Sequence, residues 1–276
     1  MIKILGVAAL AVVACYGHAN AQGIEGDVSL SFGSAPFFNT DDDFERLNES
    51  GYKLSGWVGT SFGDWRVFGD VNVYNRDIGA EDFDVYAPEG SRSIGLHAGR
   101  NFGPAYVGAF IGQNRFQGED AAVQNDYMKG NLWGVEGQYS MGSFDLFAQV
   151  GRADMVGDVG DTAFDGNFQR VGISGTFDKL TLTAEFERGK SPDIFEDNNN
   201  WGKYRAYGVS VDYQISERII AMVGYEKMDI EANTEDFGTD EFYSLGVRIP
   251  LGASTGKRNN LTTTYLSHPG RKYGCF

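Results

Sequence analysis

The 276-residue sequence is poor in several features that other classes of protein require. It has only two cysteines, Cys15 and Cys275, too few for a disulfide framework or a cysteine-ligated metal site. Lys and Arg number 23 against 38 Asp and Glu, and the formal net charge of −15 disfavours a nucleic-acid partner. After residue 21, no apolar run approaches the roughly 20 residues that a membrane-spanning helix needs. These absences leave a strand-rich, acidic protein as the main candidate.

Glycine and aromatic residues are abundant where cysteine and proline are scarce. The chain has 38 Gly, 20 Phe and 14 Tyr but only 6 Pro. The glycine share is roughly twice the usual one. Aromatic residues favour strands, and few prolines interrupt them.

The first 21 residues have the form of a signal peptide. A positive start at Lys3 precedes an apolar stretch over residues 4–16, and Ala19-Asn20-Ala21 supplies a small-residue cleavage pattern. The alternative is a lipoprotein signal ending at Cys15, which would then be retained and acylated. The Ala-Asn-Ala pattern favours simple cleavage, and both interpretations predict export.

The remaining chain is dominated by strict alternation of apolar and polar residues. In Tyr243-Ser244-Leu245-Gly246-Val247-Arg248-Ile249, every second residue is apolar. Period two predicts strands with one face in an apolar medium and the other in water. Twelve such runs are predicted: 23–33, 51–62, 65–75, 92–102, 105–116, 131–141, 144–152, 168–177, 180–189, 204–213, 218–228 and 241–251.

The connections between these runs alternate between short turns and long acidic loops. The predicted turns are Gly63-Asp64, Gly103-Pro104, Gly142-Ser143, Asp178-Lys179 and the slightly longer 214–217. The predicted loops are 34–50, 76–91, 117–130, 153–167, 190–203 and 229–240. Such asymmetry is typical of outer-membrane barrels, which have short periplasmic turns and long extracellular loops.

Aromatic residues on the apolar face form two rows. Phe62, Trp65, Phe102, Phe144, Phe177 and Tyr213 lie beside the short turns, and Tyr52, Trp133, Tyr225 and Tyr243 lie at the loop ends. Two aromatic girdles around an aliphatic belt suit a lipid bilayer. Arg100 shares this face, so either its side chain reaches the interface or a bulge shifts the register of its strand.

Soluble all-β folds are the alternatives to a membrane barrel. A propeller blade needs four short strands, whereas two long strands and a loop already fill each repeat of about 40 residues. A β-sandwich or a soluble barrel would bury the apolar face as a core. Export, the girdles and the loop asymmetry together favour an all-β transmembrane antiparallel up-and-down barrel of about twelve strands.

The chain does not end with the last predicted strand. Residues 243–251 are similar to the C-terminal insertion signal of outer-membrane proteins, but 25 residues follow Leu251. We expect a signal peptide at 1–21, a barrel at 22–251 and a periplasmic extension at 252–276. A 14-stranded barrel that uses 259–267 is the alternative, although those residues alternate only weakly.

Over residues 22–251, the chain resembles the Gram-negative outer-membrane porin family in its alternating strands, short turns, acidic loops and terminal signal. The resemblance is architectural rather than based on a motif. It implies a location in the cell outer membrane, contact with outer-membrane lipid and lipopolysaccharide, and passage of small hydrophilic solutes or ions. Twelve strands predict a narrower lumen than the usual sixteen, which side chains or a folded loop could fill.

Fourteen titratable residues fall on the polar face and are predicted to line the lumen. They are Glu25, Asp27, Lys53, Arg66, Asp70, His97, Glu136, Asp145, Arg170, Glu185, Glu187, Asp212, Glu226 and Arg248. Nine carboxylates against four Lys and Arg predict a water-filled channel with a mild cation preference. The charges could instead pair across the lumen, and the barrel could be a plugged structural or adhesive anchor.

Three further features of the sequence bear on function. In porins the third surface loop often narrows the pore, and the matching loop carries Glu119, Asp120 and Asp126. Acidic clusters at Asp41-Asp42-Asp43 with Glu45, and at Asp154, Asp158, Asp161 and Asp165, could hold Ca²⁺ or Mg²⁺ loosely, although solvated loops are the simpler interpretation. No other cofactor is expected. No catalytic motif accompanies His97, so an enzyme is not expected.

Overall fold

Twelve strands account for almost all of the described residues. The computed structural model describes residues 23–38, 47–78, 88–118, 127–156, 162–191, 202–232, 235–252 and 258–262. The predicted signal peptide lies outside these ranges. The strands are β1 Ile24–Phe38, β2 Leu47–Phe62, β3 Trp65–Ile78, β4 Pro88–Phe102, β5 Ala105–Gly118, β6 Tyr127–Met141, β7 Phe144–Val156, β8 Thr162–Phe177, β9 Leu180–Ser191, β10 Gly202–Ser216, β11 Ile219–Ala232 and β12 Glu235–Gly252.

The strands form one closed antiparallel barrel. Each strand pairs with its neighbours along the chain, and β1 closes the cylinder against β12 with Val28 opposite Ile249. Closure satisfies the backbone groups that an open edge would expose to hydrocarbon. The predicted twelve-stranded barrel is confirmed. The 14-stranded alternative is excluded, because the β1–β12 ladder leaves no edge for further strands.

At the short-turn end of the barrel, most strands begin or end close to the predicted residues. At the end with the long loops, the strands extend beyond the predicted residues. The eighth strand was expected from residue 168 but begins at Thr162, and the last was expected from 241 but begins at Glu235. The extra residues are mostly polar and do not alternate. Outside the bilayer both faces of a hairpin meet water. The backbone hydrogen bonds between strands therefore continue there although the residues no longer alternate between apolar and polar.

The short turns are held by residues with positive φ at their first position. Gly63, Gly103 and Gly142 have φ of 59°, 60° and 61°, and Asp178 has 54°. Such values are typical of two-residue type II′ turns, which suit the twist of paired strands. The fifth turn is also tight, at residues 217–218, because a bulge between Gln214 and Ser216 absorbs the extra residues.

The two faces of the wall differ as the alternation predicts. Large apolar side chains are exposed on the outside, among them Ile94, Ile111, Val171 and Leu245. On the inside, charged and aromatic side chains are buried. No helix in the described ranges is long and apolar enough to cross a membrane.

Arg100 is the one charge that the sequence placed on the apolar face near a short turn. It points outward and its Nη2 donates to Asp64 Oδ2 at 3.0 Å, while its guanidinium lies 5.4 Å from the Phe102 ring centroid. The pairing of β4 with β3 and β5 is continuous around it. The side chain therefore reaches the interface, and no bulge is needed to explain it.

Candidate functional site: the barrel lumen

All fourteen titratable residues predicted for the lumen lie on the inner face of the wall. Most are buried, and Glu25, Lys53, Arg66, Glu185 and Glu226 are partly exposed. Their position is an observation, whereas their role in lining a conducting pore stays a prediction. The alternation that places them is a property of the strands and needs no tertiary information.

His97 forms the centre of a buried cluster between β3 and β6. Its Nε2 lies 2.7 Å from Asp70 Oδ2 and its Nδ1 lies 2.9 Å from Glu136 Oε2. A neutral imidazole has one N–H donor, so two hydrogen bonds to ionised carboxylates require the doubly protonated ring. Tyr106 also donates to Glu136, at 3.0 Å. The cluster thus carries one positive and two negative charges, and both ring nitrogens of His97 have a carboxylate partner.

Aromatic rings enclose this cluster. Phe68 stacks on the His97 ring with centroids 4.3 Å apart and nearly parallel planes, and Phe110 lies on the imidazole at 5.6 Å. Arg66 lies over the Phe68 ring at 4.9 Å. An imidazolium or guanidinium over an aromatic face is a favourable cation–π arrangement.

A second cluster surrounds Arg170 on β8. Its Nε donates to Glu185 Oε2 at 2.9 Å, and one Nη also reaches that oxygen. Its other Nη donates to Gln149 Oε1 at 3.0 Å. Gln149 Nε2 donates in turn to Glu136, so this amide joins the Arg170 cluster to the His97 cluster.

A third cluster joins residues of β1, β2, β10 and β12. Arg248 on β12 donates to Asp212 at 2.7 Å and lies 3.8 Å from Asp27, whose carboxylate also accepts from the Trp57 indole at 2.7 Å.

Two looser ion pairs complete the set. Lys53 pairs with Glu226 at 3.3 Å, and Arg66 lies 3.6 Å from Glu25. Every Lys and Arg that the sequence placed in the lumen therefore has a carboxylate beside it. These pairs join strands that lie one to three places apart around the barrel.

Part of the C-terminal segment lies inside the barrel. We expected residues 252–276 in the periplasm, but the described part, residues 258–262, occupies the lumen. Leu261 is fully buried and packs in one cluster with Trp57, Phe68, Tyr106 and Phe147.

Hydrogen bonds from the wall hold this segment in place. Gln149 donates to the Leu261 carbonyl at 3.1 Å and Arg170 donates to the Thr262 carbonyl at 3.0 Å. Arg258 donates to Ser210 at 2.7 Å. A lumen lined by apolar rings and buried charges offers these five residues more contacts than water does, which explains the departure from the prediction.

The space left in the lumen is divided. One cavity of about 120 Å³ lies between Asp27, Arg170, Asp212, Arg248 and Arg258, among others. Another, of about 240 Å³, lies nearer the short turns and includes Thr176, Thr181 and Gln214 in its lining. Both of these spaces are small.

Several predicted features fall outside the described residues. They include Glu119, Asp120 and Asp126 of the expected constriction loop, and most of the acidic clusters proposed for Ca²⁺ or Mg²⁺. Within the described ranges, no group of three or more His, Cys, Asp or Glu side chains could hold a metal ion.

The inner aromatic residues were missed by the sequence interpretation, which treated the inner face as polar. Trp57, Phe68, Tyr106, Phe147 and Tyr204 are all buried inside. The parity of four of them was readable, since Trp57, Phe68, Phe147 and Tyr204 each alternate in step with a predicted lumenal charge, whereas the strand of Tyr106 carries none. The contribution of Arg258 had no such signal, because it follows the last strand.

Neighbouring strands make room for these rings. Gly189 lies directly opposite Tyr204, and a Cβ on Gly189 would collide with that ring. A glycine beside an aromatic residue lets the ring lie against the bare backbone.

Comparison with known proteins adds a family match. A family model described as Gram-negative porin matches residues 75–233, more than half of the chain. No curated protein sequence matches the chain.

Solved outer-membrane barrels match the chain at low similarity. The translocator domain of the autotransporter NalP from Neisseria meningitidis is 12% identical with a TM-score of 0.49, over 90% of this chain and 95% of that one. A loop-deletion mutant of OmpT, an outer membrane protein of Vibrio cholerae, is 13% identical with a TM-score of 0.47, over 82% and 98%. The anion-selective porin from Comamonas acidovorans is 9% identical with a TM-score of 0.43, over 83% and 98%. All three TM-scores lie below 0.5, so these likenesses carry no inference about function.

Proposed function

The chain belongs to the Gram-negative porin family, and from this premise we propose that it forms a narrow, mildly cation-preferring passage for small hydrophilic solutes and ions. Its place is the outer membrane, where a porin barrel contacts lipid and lets solutes pass. The selectivity and the width of the passage are the new elements of the proposal. They are supported by the charges and the packing of the described lumen.

The excess of carboxylates on the inner wall carries the proposal. Nine carboxylates face the four Lys and Arg of the wall and Arg258 of the inserted segment. A doubly protonated His97 adds one more positive charge. Among the described inner side chains, negative charges therefore exceed positive ones by three or four, and such a potential in a confined space concentrates cations.

The packing of the lumen supports a narrow passage. The His97 and Arg170 clusters reach from β3 to β9, and residues 258–262 fill space between them. The two lumenal cavities described above are small. Ions and small solutes suit such spaces better than large ones.

Conductance in a planar bilayer under a KCl gradient tests the proposal. We expect measurable channels whose reversal potential shifts toward the K⁺ equilibrium potential. Neutralising two partly exposed inner carboxylates in the double variant Glu25→Gln/Glu226→Gln should move the reversal potential toward zero. The matched control, Asp64→Asn/Glu241→Gln, removes the same charge from the outer surface and should behave as the wild type. Anion selectivity of the wild type would refute the cation preference.

The inserted segment favours a second candidate, a plugged structural or adhesive barrel without significant conductance. Leu261 is buried, and three side chains of the wall hydrogen-bond the segment. A chain truncated after Lys257 distinguishes the two candidates. Conductance in both proteins supports the channel, whereas a silent full-length protein and a conducting truncated one support the plug.

We also propose that the protein is not an enzyme, as the family match indicates. Both ring nitrogens of His97 contact carboxylates, so neither is available to accept a proton from a nucleophile. Hydrolysis of ester or phospholipid substrates by the folded protein, abolished by His97→Gln, would contradict this. Loose binding of Ca²⁺ or Mg²⁺ at the acidic loops stays a proposal, which equilibrium dialysis against each ion tests.

A further inference from the structure

Two arginines face each other on the outer surface at the loop end of the barrel. Arg92 on β4 and Arg115 on β5 are direct cross-strand partners, and both side chains are exposed. Their chain neighbours Ser91, Ser93 and Asn114 are buried in the lumen, which fixes the outward direction of the arginines. In the same row, Lys129 on β6 lies opposite Arg115.

Such a row is unfavourable unless something negative lies against it. Like charges directly opposite each other on adjacent strands are destabilising. On the other flank, Arg92 lies opposite Val73, which offers no carboxylate. A shared anion between the two guanidinium groups would turn the repulsion into attraction, and the forked geometry of Arg suits phosphate.

The height of the pair places it at a lipid headgroup. Both arginines lie ten residues along their strands from the turn residues Phe102 and Ala105. With about 3.3 Å per residue and a strand tilt near 40°, this corresponds to roughly 25 Å, the height of the apolar band of such barrels. With the long loops outside the cell, the arginines lie at the headgroups of the outer leaflet.

An apolar hollow lies on the membrane side of the pair. It has a volume of about 980 Å³ and is lined on the outer surface by Val71, Ile94, Leu96, Ile111 and Trp133. Ile94 and its partner Gln113, which also line it, are the next outward pair below Arg92 and Arg115. The volume is at the upper end of the range for ligand pockets. Hydrocarbon chains fit such a lining.

We propose that this face, between β3 and β6, binds a phosphorylated lipid of the outer leaflet of the lipid A type. The phosphate lies between Arg92 and Arg115, and acyl chains occupy the hollow below. The expected contact with lipopolysaccharide is then concentrated on the outer surface between β3 and β6. It depends on the outer-membrane location and not on conduction through the lumen.

A second pair of opposed arginines shows why this face is preferred. Arg188 and Arg205 are also direct partners on β9 and β10. However, Arg188 already donates to Gln169 at 2.7 Å, and Arg205 lies opposite Asp229. That pair has local partners, whereas the Arg92–Arg115 row combines basic residues with an apolar hollow.

Native mass spectrometry of the protein in detergent micelles, titrated with diphosphorylated lipid A, tests the proposal. We expect the double variant Arg92→Gln/Arg115→Gln to bind at least about tenfold more weakly, since charged hydrogen bonds to the phosphate are lost. Ile111→Trp, which fills the hollow but keeps both arginines, should also weaken binding. Far-UV circular dichroism verifies that each variant keeps the strand content of the wild type.

The controls separate this site from general attraction to anions. Arg100→Gln/Arg218→Gln removes two exposed arginines at the short-turn end and should bind lipid A as the wild type does. Removing the phosphates from lipid A should weaken its binding to the wild type. The loss should equal the loss seen when intact lipid A binds the double variant. The proposal is overturned if the double variant binds normally, if the control loses as much, or if the phosphate-free lipid binds equally. Displacement of lipid A by inorganic phosphate at equal concentration would also overturn it, since the site would then take free phosphate.

Discussion

The inner and outer faces of the same wall are stabilised in different ways, and adjacent residues on β8 show it. Arg170 points inward and is 4% exposed, whereas Val171 points outward and is 52% exposed. Val171 needs only a lipid-facing apolar surface, which many residues would provide. Arg170 needs Glu185, Gln149 and the Thr262 carbonyl in fixed positions. The outer face therefore depends on pattern, and the inner face on particular partners.

Removal of Arg170 is the strongest test of this difference. We expect Arg170→Met to lower the free energy of unfolding by about 3 kcal/mol, because Glu185 loses its main buried partner. The value is at the lower end of the usual range, since Arg258 still lies 3.8 Å from Glu185. Guanidinium unfolding of the barrel in phosphatidylcholine vesicles measures it.

The double variant Arg170→Met/Glu185→Gln is the control for this prediction. It removes both charges and should recover part of the loss, because no unpaired buried carboxylate remains. If the double variant is no more stable than the single one, the ion pair is not the reason for the effect.

An arginine at the next position, 171, would face lipid and should destabilise the barrel, whereas Arg170 is required inside it. We expect Val171→Arg to lower the free energy of unfolding by about 2 kcal/mol, because the guanidinium would lie in hydrocarbon near the middle of the band. Val171→Ala keeps the site apolar and should cost less. The same vesicle experiment measures both variants, and an Arg tolerated as well as Ala would mean that this face does not contact lipid.

Arg100 gives the smallest expected effect, because its outward ion pair lies at the rim. Arg100 and Asp64 are 3.0 Å apart with side chains 48% and 62% exposed. Screening by water and salt makes such pairs weak, so Arg100→Gln should change the free energy of unfolding by less than about 0.5 kcal/mol. A larger loss that persists in high salt would show that exposure does not govern the strength of ion pairs in this wall.

The alternation of residues was sufficient to predict most of the fold. Residues 180–186 alternate strictly and Trp65 to Val73 alternate except at Phe68 and Gly69. Each segment lies in a strand that begins where the pattern predicted, at Leu180 and Trp65. The positions of the fourteen lumenal charges followed from the same parity. The outer extensions of strands such as β8 and β12 could not be predicted, since the residues there meet water on both faces.

Parity assigned each charge to a face but could not assign its partner. Asp70, His97 and Glu136 lie on β3, β4 and β6, and their distances depend on the curvature and stagger of the closed barrel.

The sequence alone determined that this chain forms a barrel and which face of each strand is apolar, because a period of two is a local property of extended backbone. The tertiary structure decided what fills the cylinder. Leu261 and Arg258 follow the last strand and carry no periodic signal, yet they lie in the lumen against residues far away in the chain. Contacts across a lumen depend on distances that no local pattern encodes, and only the closed cylinder sets them.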